Sequence, residues 1–151
     1  MKIAIATDHA GFPAKEIVID AVKKLGHQPI DLGTGGCDSV DYPDYAQKAA
    51  QSIISGAAER GIFICGSGIG MCIAANKFKG IRASIAHDIY SAAQGVQHNN
   101  MNVLCLGAKV VDNKLIPDIV KSFLEAQFLA NEERFARRVN KLHNIEEKNF
   151  K

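Results

Sequence analysis

Short apolar runs rich in β-branched residues alternate along this chain with longer stretches of helical periodicity, and that alternation leaves few folds open to it. Ile3 to Thr7, Gln28 to Leu32, Gly61 to Cys65, Ile81 to Ile85 and Asn102 to Leu106 read as strands. Pro13 to Leu25, Tyr45 to Ser55, Gly70 to Lys77, Ile89 to His98 and Ile116 to Leu129 read as the helices between them. Strands separated by helices pair in parallel, and their crossovers cover both faces of the sheet. The expected fold is α/β: one Rossmann-like, doubly wound three-layer α/β/α domain over residues 1–151, with a five-stranded parallel sheet ordered 2-1-3-4-5. In the first helix Ile17, Val18, Ala21, Val22 and Leu25 share a face, and Gly26 supplies the stop. An extra C-terminal helix from Asn131 to Ile145, with Asn131 as its N-cap, is too polar for a core position. It is expected along an edge or against a second subunit.

A chain of 151 residues is long enough to bury a core without staples. Its net charge of +2 is ordinary, and the basic residues near the C-terminus are interleaved with Glu132 and Glu133. That pattern argues against broad nucleic-acid or membrane binding. No apolar run approaches the roughly 20 residues that span a bilayer, and Asp8 comes too early for a signal peptide. A cytoplasmic protein is expected. Cys37, Cys65, Cys72 and Cys105 show neither C-x-x-C spacing nor a companion histidine at zinc-site spacing, so neither a metal nor a disulfide framework is signalled.

The segment Gly61-Ile62-Phe63-Ile64-Cys65-Gly66-Ser67-Gly68-Ile69-Gly70 carries the most chemical information. An apolar strand ends at a cysteine and opens through alternating glycines into a helix, an arrangement that lets backbone N–H groups converge on an anion. A thiolate at Cys65, or a substrate oxyanion, would be stabilised there. A cysteine at a strand end is otherwise a small buried apolar residue, which is the reading given to Cys72 and Cys105. Cys37 reads as a loop residue without a role. Met71 stands where the dinucleotide fingerprint G-x-G-x-x-G needs its last glycine, and no Gly-Lys-Ser/Thr phosphate loop occurs, so no nucleotide cofactor is indicated.

Asp8 and His9 follow the first strand, which with the third flanks the switch point where open α/β sheets bind ligands. Asp8, His9 and Cys65 would meet in that crevice, although Asp8 alone suits an N-cap or turn. His98 ends the fourth helix at the opposite edge of the sheet, too far to reach its own Cys65. It is either structural or lent to a site shared between subunits. Arg134 and Arg138, four apart on the last helix, either clamp one phosphate or form a solvated face. Arg137 points elsewhere. Tyr42, before Pro43, is a capping residue or a substrate contact.

Together, Asp8-His9-Ala10-Gly11, Asp41-Tyr42-Pro43, Ile64 to Gly70, Ala75-Asn76-Lys77, His98-Asn99-Asn100-Met101-Asn102-Val103 and the paired arginines make the chain resemble the B-type ribose-5-phosphate isomerases from first strand to last helix. The resemblance implies a metal-free, cofactor-free aldose–ketose isomerase that interconverts D-ribose 5-phosphate and D-ribulose 5-phosphate in the non-oxidative pentose phosphate pathway. It also implies a homodimer with shared sites, able to pair into tetramers. By the same resemblance Cys65 shuttles the proton between C1 and C2. The loop amides from Gly66 through Gly68 and Ile69 to Gly70 hold the enediolate oxygen, assisted by Ser67. His98 of the other subunit opens the sugar ring while Asp8 positions it; His9, Arg134 and Arg138 bind phosphate, and Asn99 and Tyr42 touch the substrate. Lys109 stands where the family often has arginine, and it would meet phosphate as a point charge without the bidentate fork. Some relatives place a glutamate base a few residues after the cysteine position. This chain reads Met71-Cys72-Ile73-Ala74 there, leaving Cys65 as the obvious base. Rival readings are the same chemistry on D-allose 6-phosphate or a tetrose phosphate, a flavodoxin-like nucleotide-binding module, and a cysteine hydrolase.

Overall fold

The structure, a computed structural model, describes residues 1–150. In chain order the elements are β1 (Lys2–Thr7), α1 (Phe12–Lys24), β2 (Gln28–Asp31), α2 (Tyr42–Ile54), β3 (Arg60–Cys65), α3 (Ile69–Ala75), β4 (Ala83–Ile85), α4 (Ile89–Asn99), β5 (Val103–Gly107), α5 (Ile116–Glu125) and α6 (Glu133–Asn149). All strand pairs are parallel, and helices cover both faces of the sheet. Alternate side chains make two cores. Ile3, Ile5, Ile62, Ile64, Leu104 and Leu106 point to the side of α1, α4 and α5. Ala4, Ala6, Phe63, Cys65 and Cys105 point to the side of α2 and α3. There α2 presents Ala46, Ala49 and Ala50, and small residues on both surfaces let the helix lie close to β1.

The sheet order is β2-β1-β3-β5-β4, so the two strands expected in the order 4-5 are exchanged. Burial explains the exchange. All five residues of β5 are buried, as a strand with neighbours on both sides requires, whereas β4 has three residues, none fully covered, and exposes Ser84. A short, mixed strand is the safer edge. The exchange brings the end of β5 beside the end of β3, with Gly107 opposite Cys65.

Helix boundaries shift for local reasons. Because Pro43 sits in the first turn, where its missing N–H leaves nothing unpaired, α2 begins at Tyr42 rather than Tyr45. Its counterpart α5 stops at Glu125, short of Leu129, where the Arg60 guanidinium donates to the carbonyls of Phe123 at 2.6 Å and Ala126 at 2.9 Å. Gly26 ends α1's turn in the left-handed region, φ 80°. The N-cap of α6 is Glu132 instead of Asn131, and the helix continues past Ile145. It buries Phe135 and Val139, and Glu146 Oε1 accepts from the Gly80 N–H at 2.7 Å, which docks it beside the β4 edge. No helix among the described residues is long and apolar enough to cross a membrane.

Candidate active site

Three loops converge at the carboxyl ends of β1, β3 and β5. Cys65, 5% exposed, ends β3, and its Sγ accepts the Gly68 N–H at 3.1 Å. That contact depends on Gly68 adopting φ 80°, a conformation open to glycine. Ser67 Oγ accepts the Ile69 N–H at 3.2 Å and so orders the entry to α3. Among the described residues the amides of Gly66 and Ser67 donate to no protein group, and first-turn helix amides such as that of Gly70 have no intrahelical acceptor. Beside the sulfur, the structure therefore offers a ring of N–H donors.

The β1 loop is pinned to this one. Asp8 is buried, its N–H donates to Ile64 O at 3.3 Å, and its Oδ1 accepts the Gly11 N–H at 2.8 Å. Asp8 thus fills the turn role considered for it while standing next to β3. His9 Nδ1 accepts the Val40 N–H at 3.2 Å, which leaves Nε2 as the protonated, donating nitrogen of the neutral ring. Lys15, buried, donates to Thr34 O at 2.7 Å and pairs with Asp31 at 2.9 Å, fixing the segment that leads to Tyr42. The Tyr42 ring lies against Gly70, where an added Cβ would be 2.9 Å from it.

From the other side comes the β5 turn. Ala108 N–H donates to Cys65 O at 2.9 Å and Lys109 N–H to Gly66 O at 3.0 Å. The Lys109 stem crosses Gly66, so this lysine belongs to the cluster. In the expected 2-1-3-4-5 order it would have lain a strand away.

The remaining candidates gather elsewhere. His98 stacks on Phe135 with ring centroids 4.0 Å apart, and the Arg134 guanidinium sits 4.6 Å from the same ring. Arg138 lies one helical turn beyond Arg134 and is exposed. Arg137 instead pairs with Glu133. Asn99 lines a cavity of about 580 Å³ along the β4 edge, with Arg82, Ser91, Met101 and Leu142 among its other walls. This end of the molecule meets the start of β3, since Asn102 O accepts the Gly61 N–H at 2.9 Å. Cys65 ends the same six-residue strand. At about 3.3 Å per residue, the two ends of β3 are roughly 17 Å apart. One chain therefore assembles Asp8, His9, Tyr42, Cys65, the glycine loop and Lys109 in one place, and His98, Asn99 and Arg134 in another.

Cys105 is buried as expected, and Cys37 is exposed on its loop. Cys72 differs from its reading as a core residue: it is half-buried, and hydrogen bonding from Cys105 holds its thiol down to about 7 against the opposing effect of burial. The seven-residue helix α3 is too short to seal it beneath the β4 edge. His87 escaped sequence reasoning altogether. It lies two residues past the end of β4, and its Nε2 accepts the Gly107 N–H at 2.9 Å.

The ribose/galactose isomerase family model matches residues 3–142. The solved ribose-5-phosphate isomerase B of Clostridium thermocellum is 47% identical and superposes with a TM-score of 0.93, covering 98% of this chain and 99% of its own. The ribose-5-phosphate isomerase B of Mycoplasma genitalium, solved with bound ribulose-5-phosphate, is 37% identical, with a TM-score of 0.89 over 97% and 96% of the two chains. The D-erythrulose-4-phosphate isomerase 2 of Mycolicibacterium smegmatis is 43% identical over 132 residues, 85% of this chain and 86% of that protein. With the glycine loop and its cysteine in place at the sheet's carboxyl end, the chain belongs to the ribose/galactose isomerase family and is a sugar phosphate isomerase.

Proposed function

We propose that this isomerase interconverts D-ribose 5-phosphate and D-ribulose 5-phosphate through a cis-enediolate, with Cys65 as the base. The observation that carries the reading is the Cys65 sulfur at the end of β3, held by the Gly68 amide within a loop whose Gly66 and Ser67 amides are free. A carbon acid next to a carbonyl needs a base and a receptor for the developing oxyanion together. Positioned bases contribute about 100- to 10,000-fold and preorganised oxyanion donors about 3 to 4 kcal/mol each. Here Cys65 takes the proton from C2 of the open-chain aldose, the Gly66 to Gly70 amides and Ser67 hold the enediolate oxygen, the C2 hydroxyl proton passes to O1, and the thiol returns its proton to C1. Asp8 positions the sugar, Tyr42 lies along it, and His9 and Lys109 face the phosphate end with Arg134 and Arg138.

The roles of His98, Asn99, Arg134 and Arg138 require a second copy of the chain, because their own Cys65 lies at the far end of β3. Ile69 and Ile73 on α3, Ile89 and Tyr90 at the start of α4, and Leu142 and Ile145 on α6 are exposed apolar side chains on the elements next to the open β4 edge, which supports a homodimer built on that face. Mixing inactive Cys65→Ala with inactive His98→Ala chains should then restore about a quarter of wild-type activity. Half of the randomly paired dimers are hybrids, and each hybrid holds one intact site of two. No recovery after unfolding and refolding the mixture would exclude a shared site.

A four-carbon substrate is the second reading, favoured by the likeness to the D-erythrulose-4-phosphate isomerase. Proton NMR in deuterated water should show exchange into C1 or C2 of ribose 5-phosphate during turnover. Values of kcat/KM for ribose 5-phosphate, allose 6-phosphate and erythrulose 4-phosphate rank the sugars. An erythrulose value tenfold or more above the ribose value would move the assignment.

A further inference from the structure

We infer that His87 is a positioning residue for the catalytic loop, acting as a neutral imidazole that fixes the Leu106–Gly107 peptide on which that loop rests. The inference builds on the reading of Cys65 as base, and it begins from a gap in the sheet. The N–H and C=O groups of alternate β5 residues face β4. At Cys105 the carbonyl accepts the Ala86 N–H at 3.4 Å, but at Gly107 the β4 strand has ended. His87 fills the gap with a side chain, and Nε2 accepts the Gly107 N–H at 2.9 Å.

On the opposite side of that peptide stands the catalytic loop. A Cβ at Gly68 would be 3.1 Å from Leu106 C and 3.3 Å from Gly107 N; one at Gly107 would be 2.7 Å from Ser67 C and O. Main chain thus touches main chain, and a rotation of the Leu106–Gly107 peptide displaces Ser67 and Gly68 directly. Gly68 carries the N–H bonded to Cys65 Sγ. His87 is therefore linked to the sulfur through two hydrogen bonds, the Leu106–Gly107 peptide plane and its main-chain contact with Gly68, with no other side chain in between that could absorb a shift.

The link requires an unprotonated Nε2. Burial lowers the His87 pKa from 6.5, and among the described residues Asp88, which opposes that shift, is the charged group acting on it. As pH falls below that lowered value, Nε2 gains a proton, ceases to accept, and the Gly107 amide loses its partner.

The test compares His87→Leu, which removes the acceptor, with His87→Gln, whose side-chain oxygen reaches the Nε2 position. His87→Leu should lower kcat about 10- to 100-fold with KM changed less than about threefold, the size expected of a sub-ångström misplacement of the reacting groups. His87→Gln should recover kcat to within about threefold of wild type and lose the acid-side decline in kcat that His87 causes. The wild-type amide resonances of Gly107 and Gly68, followed from pH 7 downward, should shift together with the His87 ring. Normal kcat in His87→Leu, a glutamine variant as impaired as the leucine one, or a Gly68 resonance indifferent to the His87 titration would each overturn the inference. If wild type does not isomerise ribose 5-phosphate, the proposed function fails separately, and the amide titration still decides the linkage.

Discussion

Replacing Cys65 with alanine is expected to lower kcat/KM for the preferred phosphosugar by about 100- to 10,000-fold, the contribution of a positioned base. The fold should survive. Cys65 is a small side chain at the edge of the α2-facing core, and the substitution leaves the buried Gly68 amide without its sulfur acceptor. Loss of the sulfur and of that acceptor costs about 1 to 3 kcal/mol, so the melting temperature should fall by about 2 to 12 °C. Initial rates at saturating and limiting substrate, together with a thermal melt, separate the two effects. Retention of more than a tenth of the wild-type kcat/KM would remove Cys65 from the role of base.

The second large effect is expected at Gly11. A Cβ there would stand 2.2 Å from Ile64 O, 2.6 Å from Ile64 C and 3.1 Å from Cys65 N, all main-chain atoms that cannot rotate away. The Gly11→Ala variant must therefore push the β1 loop off the end of β3. Overpacking of this kind costs about 1 to 3 kcal/mol, equivalent to a drop of about 2 to 12 °C in melting temperature. Asp8 and His9 ride on the displaced loop, and a shift of about 1 Å lowers kcat by about 100-fold. Gly35 provides the control: an added Cβ meets nothing within 4 Å, so Gly35→Ala should be close to neutral in both measurements. Similar melts for the two alanine variants would refute the steric account.

Hydrophobic period made the strands legible, because β1, β3 and β5 are almost wholly buried and leave no polar residue to interrupt the pattern. The glycine loop was legible for a different reason: successive glycines after an apolar strand have few structural uses. What the chain's residues did not disclose was the position of β5. Both orders of β4 and β5 satisfy the same alternation of strand and helix, and the choice turns on relative burial. Arg82 and Ser84 within the fourth apolar run were the available sign that it belongs at an edge. Lys109 and His87 depended on that choice. Only with β5 between β3 and β4 does Lys109 reach Gly66, and only then does Gly107 touch both His87 and Ser67. Cys72 was misplaced because a cysteine inside an apolar helix gives no sign of how short the helix is or what lies beside it. The separation of His98 from Cys65 was readable from chain direction alone, since a helix between parallel strands returns the chain to the edge where the next strand starts.

That separation has a kinetic corollary under the proposed mechanism. Catalytic output would follow the population of paired chains, so specific activity should decline on dilution even with sugar in excess, and a titration against enzyme concentration should curve upward at its lower end. Cellular flux would then respond more than proportionally to changes in expression wherever abundance lies near or below the dissociation constant of the dimer. Damage to one catalytic residue of one subunit would also silence only the pocket to which that residue contributes, leaving hybrids half-competent instead of dead.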